Sequence, residues 1–89
     1  METRARIAWN LRRLRSEQKI TQEHLAVDAN VDRSVISDME RSKHNASVDL
    51  LDRLAAALSV DVTEFFKVPD QEDVRPAPLL PGRKPKVGR

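Results

Sequence analysis

Apolar positions recur along the chain with a helical period. Ile7, Leu11 and Leu14 stand at i, i+4 and i+7, one stripe of a first helix predicted from Thr3 to about Glu17. Arg4, Arg6, Arg12, Arg13 and Arg15 occupy its other faces. Trp9 lies off the stripe, so it is either half exposed or covered by something outside the helical core. Thr21 is placed to cap a second helix, Gln22 to about Ala29, which turns Leu25, Ala26 and Ala29 inward. Asn30 follows where a helix stops in left-handed geometry, which Asn tolerates best after Gly. Asp32 caps a third helix spanning about 32–41, with Val35, Ile36 and Met39 as its inward face.

A polar loop from Arg41 leads to Ser47, the expected cap of a fourth helix whose broad stripe is Leu50, Leu51, Leu54, Ala55 and Leu58. Asp61–Val62–Thr63–Glu64 reads as a capping box opening a short fifth helix through Phe65, Phe66 and Lys67, stopped by Pro69. Residues 69–89 hold five prolines, two glycines and no periodicity, and read as a disordered tail with a basic end. The pattern predicts an all-α chain: one five-helix domain over residues 1–68 and a tail over 69–89.

Composition narrows this picture. The chain has 89 residues, no cysteine, 34 % charged residues and 3 % aromatics, which suits short helices around an aliphatic core. Neither disulfides nor thiolate-held zinc can reinforce so small a core. The net charge of +2 hides an asymmetry. Residues 1–19 carry six Arg/Lys against two acids, residues 20–68 five against nine, and residues 69–89 five against three. Any affinity for a polyanion must therefore come from where individual charges sit. METRARIAWNLRRLR has no apolar run fit for a signal peptide, and nothing approaches the roughly 20 apolar residues of a membrane span. A cytoplasmic location is expected, without membrane association.

The second and third predicted helices carry the most specific spacing. Counted from Gln22, Leu25 comes three residues on, Ala26 four, Asn30 eight, Val31 nine, Ile36 fourteen and Met39 seventeen. A helix-turn-helix needs a small residue where its helices approach, a left-handed turn residue and apolar anchors that set the crossing angle. All are present. The chain from about Ile7 to Phe66, including LRRLRSEQKITQEHLA, DRSVISDMERSKHNAS and LLDRLAAALSVDVTEFF, resembles the phage-repressor/Cro (XRE) family of helix-turn-helix regulators. It is most similar to the small stand-alone type that includes restriction–modification controllers. Lys19, Asn30 and Ser42 stand where that family usually has Gly, and Ala46 where Pro is common.

The resemblance implies a lambda-repressor-like fold that binds double-stranded DNA, with the third helix in the major groove. Arg33, Ser34, Ser37 and Asp38 are then the candidate base contacts, Arg33 foremost because a guanidinium can grip guanine O6 and N7 together. Asp38 has several readings. It accepts from cytosine N4, or it discourages non-specific binding, or it is a solvated acid paired with Arg41 or Arg33. Gln22, at a helix start with free backbone N–H groups, matches a family glutamine that reaches a phosphate. Arg41, Ser42, Lys43 and Asn45 would clamp the same strand. Arg15 matches the family arginine that pairs with the glutamate ending the recognition helix, here Glu40, and would lie near the DNA backbone.

Useful specificity requires two half-sites, so a homodimer is expected. Val62, Phe65 and Phe66 are its candidate contacts, or else they simply close the core. Repression is expected, since occluding a promoter needs only occupancy, and control would come from the protein's own concentration or from a partner. No catalytic, metal or cofactor site is expected. His24 and His44 have no ligand spacing, Asp49 and Asp52 lack a cleft, and no glycine-rich phosphate loop exists. The rival reading is a protein-binding anti-activator or antitoxin that masks a partner, suggested by the acidic middle block and Asp38. A protein partner could also be held by the tail through Val74, Leu79 and Leu80.

Overall fold

The computed structural model describes residues 2–69, in the order α1 (Thr3–Gln18), α2 (Gln22–Ala29), α3 (Arg33–Glu40), α4 (Val48–Leu58) and a 3-10 turn (Val62–Phe66). Apart from Pro69, the predicted tail with Val74, Leu79 and Leu80 lies outside the described residues. Four α-helices form where the periodicity places them. The fifth element is a 3-10 turn instead of an α-helix, because five residues between Asp61 and Lys67 are too few for repeated i to i+4 bonds. Among the described residues no helix is long and apolar enough to cross a membrane.

The helix starts are fixed by short polar side chains. Thr21 accepts from the His24 N–H at 2.9 Å, and Ser47 from the Leu50 N–H at 3.0 Å. Asp61 accepts from the Thr63 N–H, but Glu64 turns away to Arg13 and Lys67, so the expected capping box is only half formed. Asp32 also departs from expectation. It occupies the N-cap, yet its carboxylate makes no capping bond, and its backbone carbonyl receives the Val35 N–H.

The helix ends share one device. Lys19, Asn30, Ser42 and Ser59 all have φ between 58° and 63°, the left-handed region, and none is glycine. In each case the next residue's N–H reaches back five positions: Ile20 to Arg15, Val31 to Ala26, Lys43 to Asp38 and Val60 to Ala55. Ile20, Val31 and Val60 then pack against the core, which holds the stop in place. After α3 the equivalent residue is Lys43, which is exposed.

One aliphatic core unites the helices. Leu11, Leu25, Ile36, Leu54, Leu58 and Phe65 are fully enclosed within it. Phe65 therefore serves the core and offers no surface to a second chain, which corrects its candidacy as a dimer contact. Asn10, between Trp9 and Leu11, is also fully buried. Its side-chain amide donates to the Phe65 carbonyl at 2.9 Å, the Lys67 carbonyl at 3.0 Å and the Arg6 carbonyl at 3.0 Å. Its oxygen accepts from Arg13 Nε at 3.2 Å and Nη2 at 3.1 Å. Arg13 lies over the Trp9 ring, 5.7 Å from its centroid, and pairs with Glu64 at 3.2 Å. Trp9 is thus half-buried, and the 3-10 turn is latched to α1.

Two outcomes follow from the latch. Asn10→Ala should lower unfolding free energy by about 2–3 kcal/mol in urea titrations, because buried carbonyls lose their donor. Glu64 is the pH-sensitive member. Its hydrogen bond to Arg13, aided by Lys67, holds its carboxyl below the ordinary value of 4.5, so the unfolded chain binds the extra proton as pH falls. Its stabilisation should be complete above pH 4.5 and fade as pH falls through the folded value. In urea titrations across that range, the gap in midpoint between the native protein and Glu64→Gln should close with acidification.

Candidate nucleic-acid interface

The interface candidates converge on one buried carboxylate. Glu40 ends α3 and is 5 % exposed, a costly place for a charge unless it is met by opposite charge and hydrogen bonds. Arg15, from the last turn of α1, meets it with two contacts, Nε–Oε2 at 2.7 Å and Nη2–Oε1 at 3.0 Å. The hydrogen bond to Glu40 raises the Arg15 pKa further above its ordinary value, so this guanidinium is permanently charged. Arg15 Nη1 also donates to the Ile20 carbonyl at 2.9 Å, securing the turn into α2. Removing either partner alone would strand the other, at a cost of about 3–5 kcal/mol.

The network continues onto the predicted contact surface. Gln22, in the first turn of α2, donates through Nε2 to Glu40 Oε1 at 3.0 Å. Its Oε1 accepts from Arg33 Nη1 at 3.3 Å. Arg15, Glu40, Gln22 and Arg33 thereby form one chain of hydrogen bonds across three helices. Arg33 and Ser34 are exposed at the start of α3, while Ser37 and Asp38 are partly exposed further along. Val35, Ile36 and Met39 supply the opposing inward face, and Ile36 and Met39 are buried. α3 is thus held by its apolar side and by its C-terminal carboxylate, leaving its N-terminal half outward.

Beyond α3, Arg41 turns back to Asp38, Nη2–Oδ1 at 2.6 Å, the pairing anticipated for a solvated acid. The Lys43 N–H is fixed to the Asp38 carbonyl at 2.8 Å, so its backbone is pinned while its side chain is free to reach outward. Ser42 is half-buried in its left-handed position, and Asn45 is exposed. Arg15 and Gln22 thus meet α3 at Glu40, while Arg41, Ser42, Lys43 and Asn45 follow α3 directly in the chain.

Val62 packs partly against the core, and Phe66 is 38 % exposed with Val68, two residues further on, at 68 %.

Two anchoring residues escaped the sequence reading. Arg12 Nη1 donates to the Glu40 backbone carbonyl at 2.9 Å, so the same residue is gripped twice from α1. Only its spacing of three from Arg15 hinted at this. Arg53 Nη1 donates to the Asn30 carbonyl at 3.2 Å and ties α4 to the turn between α2 and α3. Nothing local in the sequence signals that contact. Among the described residues no cluster of His, Asp or Glu could hold a metal ion.

The arrangement matches known proteins. A helix-turn-helix family model matches residues 11–65. The immunity repressor of Bacillus phage phi105 is 37 % identical over 57 residues, covering 64 % of this chain, although the chain spans only 40 % of that repressor. The restriction–modification controller C.AhdI from Aeromonas hydrophila superimposes with a TM-score of 0.69 at 33 % identity, covering 71 % of this chain and 96 % of the controller. The controller C.Esp1396I, solved as a tetramer with its natural 35 base-pair operator, gives 0.68 at 30 % identity, covering 74 % of this chain and 87 % of that one. The left-handed turn at Asn30, the outward start of α3 and the matched span from Leu11 to Phe65 place this chain in the helix-turn-helix family, in its XRE-type form.

Proposed function

We propose that the chain is a sequence-specific regulator of transcription that binds double-stranded DNA as a homodimer, acts in the cytoplasm and represses by occupancy. It works by binding and carries out no catalysis. The observation that carries this reading is the outward N-terminal half of α3, presented by a helix whose inner face and far end are both locked. A helix presented this way fits the major groove, which admits one α-helix. That C.Esp1396I, a relative of this fold, was solved in complex with its natural operator supports the DNA-binding reading.

In this reading Arg33 grips a guanine, Ser34 and Ser37 contact neighbouring base edges, and Asp38 faces the groove. Gln22 keeps one amide N–H for a phosphate while its other bonds stay in place. Arg41, Ser42, Lys43 and Asn45 hold the strand beyond α3, and the exposed edge of Arg15 faces the same backbone. Several acids of the middle block are occupied within the fold. Glu40 is neutralised by Arg15, and Asp61 and Glu64 serve the 3-10 turn.

Two copies would meet through Phe66, with Val62 and Val68 at the rim, placing two α3 helices about one helical turn of DNA apart.

Binding to a selected duplex should weaken steeply as salt rises, and Lys43→Ala should flatten the slope by about one unit. Arg33→Ala should cost about 1–3 kcal/mol and relax preference at one base pair in selections from a random pool. Affinity indifferent to both salt and Arg33 would favour a masking protein of the anti-activator or antitoxin kind. Because Phe66 is outside the sealed core, Phe66→Asp should leave the fold intact and yield monomers in sedimentation equilibrium at concentrations where the native chain is dimeric.

A further inference from the structure

Two arginines of the recognition surface, Arg33 and Arg41, are already engaged by acids of the same surface. Arg33 Nε lies 4.0 Å from Glu23 Oε2, and Arg41 Nη2 lies 2.6 Å from Asp38 Oδ1. All four side chains are substantially exposed, at 50 %, 73 %, 61 % and 42 % in that order. Such exposed pairs add little to folding, so stability does not explain them. Their position does carry a consequence. A duplex that approaches α3 meets two cations whose nearest carboxylates compete with its phosphates.

We propose that Glu23 and Asp38 are specificity-determining residues that penalise non-cognate DNA, and this inference rests on the DNA-binding reading above. On arbitrary sequence the arginines can gain only phosphate contacts. That gain is offset by loss of the internal pairs and by repulsion between the carboxylates and the DNA backbone. On a cognate site Arg33 gains a two-bond grip on a base edge, which phosphate contact cannot supply. The acids therefore lower binding to every sequence, but only the correct one returns a compensating contact. Arg33 is also kept in place by Gln22, so its guanidinium can exchange Glu23 for a base without first being ordered.

Asp38 has a second structural task that separates its backbone from its charge. Its carbonyl accepts the Lys43 N–H, so Asp38→Asn preserves that bond and removes only the carboxylate. Glu23→Gln likewise keeps the shape of an exposed first-turn residue of α2. The amide variants therefore test charge without disturbing the fold.

The experiment measures affinity for a mixed-sequence duplex and for a duplex selected from a random pool by the native protein, each over a salt series. A control chain carries Asp28→Asn and Asp52→Asn, which gives the same change in net charge at acids that pair with neither arginine. The double variant Glu23→Gln/Asp38→Asn should bind the mixed duplex roughly tenfold more tightly, with a salt slope steeper by up to about two units. Its affinity for the selected duplex should rise by less, so the ratio between the two falls several-fold. An equal gain in the control chain would assign the effect to net charge and overturn the inference. A variant that loses affinity for the selected duplex, or changes neither affinity, would also overturn it, while native binding still sensitive to salt would leave the DNA-binding reading standing. If the native chain shows no salt-dependent binding to either duplex, both fail together.

Discussion

The buried carboxylate of Glu40 constrains everything near the recognition surface. A charge with 5 % exposure persists only where donors surround it, and those donors come from the end of α1 and the start of α2. The requirement draws three helix termini to one point. Arginine suits the position better than lysine would, since its planar fork binds both carboxylate oxygens and still donates to the Ile20 carbonyl. Arg12 adds a grip on the Glu40 backbone. α3 is thus fixed at its far end by electrostatics and along its inner face by apolar packing. Its outward half adds only the exposed contacts of Arg33 with Gln22 and Glu23.

The helix stops show how a chain with no glycine before residue 82 can turn so tightly. Left-handed geometry costs a residue with a side chain roughly 1–2 kcal/mol, and four positions adopt it. Three of these turns are held by an apolar residue that packs into the core immediately afterwards. The turn after α3 has Lys43 in that place, held by its backbone alone. A position used elsewhere for packing is here released to the surface, at a residue proposed to meet phosphate.

Much of this was legible in the sequence because local rules generate it. The stripe of Ile7, Leu11 and Leu14, the caps Thr21 and Ser47 and the turn at Asn30 all act within a few residues. The Arg15–Glu40 pair was legible only through resemblance to a family, since nothing local links positions 25 apart. What was missed depends on distant contacts. Asn10 lies three residues after Ile7, on the buried stripe, so a polar side chain there signalled a buried hydrogen-bonding task. Its partners at Phe65 and Lys67 could not be read from periodicity. Phe65 and Phe66 illustrate the same limit. Adjacent phenylalanines look alike in sequence, and only the packing of the 3-10 turn decides that one is enclosed and the other left outside.

α1 holds two unrelated parts of the molecule at once. Asn10 grips the 3-10 turn, and Arg15, five residues and about 7.5 Å of helix further along, grips the end of α3. A single stiff rod therefore sets the offset between the Phe66 patch and the groove-reading helix, with no loop in between to absorb error. In the homodimer proposed through Phe66, that offset would act as a ruler. Inserting one base pair between half-sites rotates the second by about 35° around the duplex axis, and a ruler without slack cannot follow.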